Sequence, residues 1–172
     1  METANVIVLP YDCAWERAFE EIKGELEAAL GNLICGIEHV GSTAVPGMCA
    51  KPCIDLDVII SDYTVFEAVC ARLAEIGYYH EGDLGIKERE AFGYADKRHL
   101  YKHHLYVCPK ASGELHRHLT FRDYLRSHPD DAKWYSEVKL AAALHHPGDI
   151  DGYMQEKAPC IAALYRKCHL IE

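Results

Sequence analysis

The run Cys53-Ile54-Asp55-Leu56-Asp57-Val58-Ile59-Ile60 sets two carboxylates one residue apart inside an otherwise apolar segment. A β-strand alternates its faces, so Asp55 and Asp57 point to one side and Ile54, Leu56 and Val58 to the other. Two like charges held this closely are unfavourable in a fold unless a positive charge lies between them. A divalent metal answers that need, and carboxylate pairs of this kind hold Mg²⁺ or Mn²⁺ against substrate phosphates. The plainer alternative is a solvated face on an edge strand.

The segment before this strand favours the metal reading. Gly41-Ser42-Thr43-Ala44-Val45-Pro46-Gly47 is a turn-rich stretch, and it leads through Lys51 into the acidic strand. Glycine lets a backbone approach a ligand without a Cβ in the way. Turn amides and the hydroxyls of Ser42 and Thr43 can then line an anion-binding concavity. Lys51 is either a surface lysine or a cation placed for a triphosphate. Together these residues suit an in-line displacement at phosphorus, with charge stabilising the attacking and leaving oxygens.

The rest of the chain bounds the fold. At 172 residues it suits one domain, 1–172. The net charge of -9 argues against a general nucleic-acid binder, though not against a local basic pocket. No apolar run is long enough for a membrane span, and the first residues lack the pattern of a signal peptide. The eight cysteines form no CxxC pair, which predicts reduced, mostly buried thiols in a cytoplasmic protein.

Strands are expected at 5–9, 34–40, 52–60, 91–95 and 99–108. Asp12 should cap a helix to Leu30 whose stripe is Trp15, Phe19, Ile22, Leu26 and Leu30. Ser61 or Asp62 should cap a second helix, stopped by Gly77, with a polar loop over 80–90. Helices are predicted at 113–127, 129–145 and 150–168. The expected class is α+β: an α/β half, 1–110, followed by a helical C-terminal lobe, 111–172.

The stretch from Ile37 to Val58, with His39-Val-Gly-Ser-Thr-Ala-Val-Pro-Gly at its centre and Lys51-Pro-Cys-Ile-Asp55-Leu-Asp57 at its end, resembles the GrpB family. Its core, an apolar residue, Gly-Ser, a spacer and Asp-x-Asp, resembles the polymerase-beta-like nucleotidyltransferase superfamily. The likeness extends to Pro10-Tyr11-Asp12 with Trp15, His103 to Val107, Phe121 to Arg126, Tyr135 with Lys139, and Tyr153 with Lys157. It implies a nucleotidyltransferase-like mixed sheet with flanking helices, and a metal-dependent transfer of a nucleoside monophosphate to a small-molecule acceptor. It also implies the alternative of a non-catalytic nucleotide-binding module, linked to coenzyme A metabolism. By the same likeness, Arg122 and Lys139 face the cleft and meet phosphates.

Many superfamily members place a third carboxylate on a neighbouring strand. The expected strand 99–108 has no acid, so His104 is assigned the third metal position, sharing a face with Tyr106. His39 is read as structural, pairing with a loop carbonyl or a carboxylate. The remaining histidines, among them His116 and His118, lack structural-zinc spacing.

Overall fold

The computed structural model describes residues 5–172. Five strands form one sheet: β1 (Gly36–Val40), β2 (Ile54–Ile60), β3 (Tyr78–Gly82), β4 (Glu90–Tyr94) and β5 (His103–Pro109), in the spatial order β1-β2-β5-β4-β3. β2 and β5 run parallel at the centre, and the other pairings are antiparallel. Central strands are buried on one face by helices α1 (Ala14–Leu30) and α2 (Phe66–Glu75). The even residues of β2, Ile54, Leu56, Val58 and Ile60, are fully buried there among Trp15, Ile22, Leu26, Val69 and Leu73. The predicted stripe of α1 is thus the stripe that packs.

The other sheet face carries the odd residues of β2. On that face α3 (Gly113–Ser127) packs against β1 and β5, and α4 (Pro129–His145) and α5 (Ile150–Lys167) pack beside it. The first two match their expected bounds, since Ser112 caps α3 by accepting from the Leu115 amide and Pro129 opens α4. Asp149 caps α5 in the same way, through the Gly152 amide.

Between the two halves lies the Gly41–Lys51 segment. Val45 and Met48 leave it and enter a second apolar cluster with Leu125, Ala132, Tyr135, Cys160 and Leu164. Arg126 donates to the Ala44 carbonyl at 2.9 Å, and the Cys49 amide donates to Ser136 Oγ at 3.0 Å. The turn is therefore held by the helices, not left free.

Three expectations need correction. Residues 5–8 are not a strand: only Leu9 bridges the sheet side, exchanging two 2.9 Å hydrogen bonds with Ala50. The 80–90 loop begins later, because 78–82 pair with β4 as the edge strand; an edge strand tolerates the polar sequence that suggested a loop. The 99–108 strand starts at His103, since 97–100 turn back on themselves through the Leu100 amide and Lys97 carbonyl. Asp12 accepts from the Ala14 amide, but Cys13 is the residue that opens α1, and Asp62 caps the short 3₁₀ turn Tyr63–Val65 through the Thr64 amide, ahead of α2.

Met48 is fully buried where the turn meets the helical lobe. Met48→Ala should cost about 2–5 kcal/mol. Urea denaturation should show the midpoint falling with an unchanged slope.

Candidate functional site

Register fixes what shares a face. Across β1 and β2, Glu38 lies opposite Asp57 and Val40 opposite Asp55. Across β2 and β5, Asp55 lies beside His104 and Asp57 beside Tyr106. An acidic row, Glu38, Asp57 and Asp55, therefore crosses the sheet face toward the C-terminal helices. Directly opposed like charges destabilise a sheet unless they are answered.

Each acid has its own basic partner. Arg122 of α3 donates to Glu38 Oε2 at 2.6 Å and to the His39 carbonyl at 3.0 Å. His118, also of α3, places Nδ1 2.6 Å from Asp57 Oδ2, and its Nε2 lies 3.4 Å from Glu114 Oε1. His104 Nδ1 lies 3.0 Å from Asp55 Oδ1. The hydrogen bond to Asp55, then that to Cys53, lifts the His104 imidazole to about 10, so it is a cation at neutral pH.

The two aspartates are not equivalent. Asp55 is half-buried and faces open space, whereas Asp57 is fully buried. Burial pushes the Asp57 carboxyl above its ordinary value, against the lowering effect of His118. Asp57 Oδ1 has no hydrogen-bond partner among the described residues. A buried, unpartnered carboxylate oxygen beside a second carboxylate is an acceptor suited to a cation, so these residues fit a divalent metal.

Gly41 makes the turn possible. Its φ of 75° and ψ of -174° belong to a region that side chains strongly disfavour. A Cβ there would also stand 2.6 Å from Asp55 Oδ2. Ser42 to Ala44 then form a single 3₁₀ turn. His39 supports it from beneath, sharing a 2.9 Å hydrogen bond with Thr43 Oγ1 and stacking on Phe19 at 4.6 Å between ring centres. Burial, helped by Arg126, holds this imidazole near 4 and hence neutral. His39 thus pairs with a hydroxyl in place of the expected carbonyl or carboxylate.

Two small cavities open on either side of Ser42 and Asp55. One, about 190 Å³, has Lys51, Lys139 and Lys157 in its lining, with Ser42, Asp55 and His104. The other, about 180 Å³, is bounded by Arg117, His118 and Arg122 and by Gly41. Lys139 is the most constrained of these cations: it is 3% exposed, donates to Ser42 Oγ at 2.8 Å and to the Cys49 carbonyl, and lies 4.5 Å from the Tyr135 ring centre. Its contacts include no carboxylate. Burial, then the neighbouring Lys157, brings its ammonium down to about 7.

All nine residues singled out from the sequence, Gly41, Ser42, Thr43, Lys51, Asp55, Asp57, His104, Arg122 and Lys139, lie around these cavities or in the acidic row. They divide between two compartments. Thr43 turns its hydroxyl to His39, and Arg122 is engaged by Glu38 on the far side of Asp55 from Lys139. Sequence reasoning missed Cys53, Glu38, Glu114 and His118. Glu38 was findable, because it alternates with Val40 on the strand that enters the turn.

A family model described as "GrpB protein" matches residues 5–167. The chain belongs to the GrpB family. It is 38% identical over 162 residues to a UPF0157 protein of Pseudomonas aeruginosa, covering 93% of this chain and 66% of that one. It is 34% identical to the UPF0157 protein YqkA of Bacillus subtilis over 89% of this chain, but spans only 44% of that relative's length. Dephospho-CoA kinase of Mycolicibacterium paratuberculosis matches at 26% identity over 95% of this chain and 46% of its own. The crystal structure of the conserved protein GrpB from Enterococcus faecalis superposes with a TM-score of 0.82 at 33% identity, over 94% of this chain and 96% of that one. The Cid1 poly(U) polymerase with MgGTP bound gives 0.54 at 11% identity, over 76% of this chain and 42% of that one, a likeness of fold. The fold is nucleotidyltransferase-like, as expected. Among the described residues no helix is long and apolar enough to cross a membrane.

Two expectations follow from this geometry. Gly41→Ala adds a disfavoured backbone conformation to a clash with Asp55, and should lower stability by about 1–3 kcal/mol or more in thermal or urea unfolding. Lys139→Met should raise stability at pH 6 by about 2 kcal/mol, because a buried cation without a carboxylate is removed at the cost of its hydrogen bonds. The folded-state value near 7 lies below the unfolded one, so the unfolded chain binds the extra proton between these values. Wild-type stability should accordingly gain on the variant as pH rises from 7 toward 10. A gap that widens over that range contradicts the assignment.

Proposed function

We propose that this protein binds a nucleoside triphosphate in the cleft between the sheet and the helical lobe, and transfers its nucleoside monophosphate to a hydroxyl or phosphate of a small acceptor. One observation carries the reading: Asp55 on a central strand lines the same cavity as three lysines and Ser42 of the glycine-serine turn, with Asp57 buried two residues along the same strand face. Acids alone would suit many cations, and lysines alone many anions. Both together suit a metal-bound phosphate chain.

Asp55 and Asp57, with His104 beside them, would hold Mg²⁺ or Mn²⁺. That ion, when bound, supplies charge that stabilises the developing negative oxygens. The chain's own residues do the rest. Gly41 and Ser42 admit the phosphates close to the backbone. Lys51, Lys139 and Lys157 neutralise their charge, and an arriving phosphate raises the ammonium of Lys139 toward its ordinary value, so binding takes up a proton near pH 7–9. His118 fixes Asp57, and Arg122 holds Glu38 and the end of β1. The acceptor oxygen forms a bond to the α-phosphorus as the bond to the departing pyrophosphate breaks.

The second reading, a nucleotide-binding module without catalysis, is favoured by one feature: both aspartates already have imidazole partners from the protein itself. Its link to coenzyme A metabolism is supported by the likeness to a dephospho-CoA kinase.

Thermal melting with ATP, GTP, CTP or UTP, with and without Mg²⁺ or Mn²⁺, separates these readings. At ligand near 100 times its Kd the stabilisation should be about 2.7 kcal/mol, and Asp55→Asn should remove its metal-dependent part. Absence of any shift across all four nucleotides defeats both. Stabilisation without pyrophosphate release over an acceptor panel leaves the binding module.

A further inference from the structure

We infer that Cys53, Asp55 and His104 form a site for a borderline-soft divalent ion of the zinc or cobalt type, with its remaining position open to the lysine-lined cavity. The inference goes beyond the nucleotide reading: at the shared residue Asp55 it puts an ion of softer class in place of Mg²⁺ or Mn²⁺. It stands on geometry that needs no nucleotide.

Strand pairing brings the three donors together. Cys53 and Asp55 are two residues apart on one face, and His104 lies directly beside Asp55 across the parallel β2–β5 pair. Their donor atoms, one each of sulfur, oxygen and nitrogen, all lie within 4.8 Å of one another. Ligand atoms of a tetrahedral zinc site are about 3.5 Å apart, given metal–ligand lengths of roughly 2.0–2.3 Å. Small side-chain rotations close the difference.

The donor chemistry selects against magnesium. Mg²⁺ demands oxygen ligands and keeps several waters, whereas thiolate and imidazole suit zinc and its neighbours. Asp57, which would supply a second hard oxygen, has Oδ2 engaged by His118, and its unpartnered Oδ1 is fully buried outside the lysine-lined cavity. Asp55 therefore finds its nearest soft donors in Cys53 and His104, which would each give up a proton to the solvent as the ion binds. Three protein ligands with one open position is the arrangement of catalytic zinc sites. The burial gradient agrees with an opening on one side: Cys53 is 4% exposed, Asp55 half-buried and His104 exposed.

Cobalt is the probe, because a thiolate ligand gives it a charge-transfer absorption that carboxylate and imidazole do not. Metal-free protein without nucleotide should take up one equivalent of Co²⁺ with that absorption. Zn²⁺ should displace it and excess Mg²⁺ should not. Cys53→Ser should abolish the thiolate band, and His104→Ala should weaken binding more than tenfold. Cys13 and Cys35 are the exposed thiols, so the Cys13→Ser/Cys35→Ser variant should keep the band. The surface position of His104 preserves the test if the buried substitution unfolds the chain. The proposal is overturned if the band survives Cys53→Ser, disappears with Cys13 and Cys35, yields to Mg²⁺ or never forms, or if His104→Ala binds Co²⁺ as tightly as the wild type. A nucleotide shift that fails beside a cobalt band that holds would remove the triphosphate reading alone.

Discussion

Asp57 is a full carboxylate with no exposed surface in the middle of a sheet, and the arrangement of the C-terminal half answers to it. Leaving such a group uncompensated is among the costliest things a fold can do. The neighbours make it worse: Glu38 lies directly across on β1, and Asp55 shares the face two residues away. α3 supplies the remedy from a single helix, with His118 on Asp57 and, one turn further, Arg122 on Glu38. Helix and sheet are joined by charge where other folds would use an apolar face. That explains why α3 buries so little, only Leu115 and Leu125, yet sits squarely on the sheet.

The turn between β1 and β2 is the second consequence. It must pass close to Asp55, so Gly41 is needed, and it must keep its shape without a regular element of its own. Both halves of the protein hold it. His39 and Phe19 brace it from the sheet side through Thr43, while Met48, Val45 and Lys139 tie it to α4 and α5. A phosphate-sized ligand arriving there meets a surface already in place, which limits the ordering cost of binding.

How much of this could be read from the residues alone follows from range. The α1 stripe and the Gly-Ser turn before Asp-x-Asp are local patterns, and they placed the first helix and most of the site's vicinity. Partnership across the sheet is not local. His118 looked like one of several histidines on a polar helix, and only the packing of α3 reveals that it meets Asp57. Cys53 read as a buried thiol because its alternation with Asp55 carries no signal until β5 brings His104 alongside. The edge strand at 78–82 was hidden by its own polarity, since an edge needs no apolar alternation on both faces.

The missing third carboxylate takes a different form once register is known. β5 has none, but β2 has two neighbours. Glu38 on β1 stands opposite Asp57 on the site's face, and its carboxylate is bound to Arg122. An acid tied to a guanidinium is a weaker metal ligand than a free one, because the ion must compete with a charged donor already in place. His104, by contrast, is held by Asp55 and Cys53, residues a metal would itself engage. The face therefore offers a hard oxygen row on the β1 side and a softer sulfur–nitrogen pair on the β5 side, with Asp55 common to both. Which side an ion takes is decided by the strength of the Arg122–Glu38 and His118–Asp57 pairs, and those pairs belong to α3.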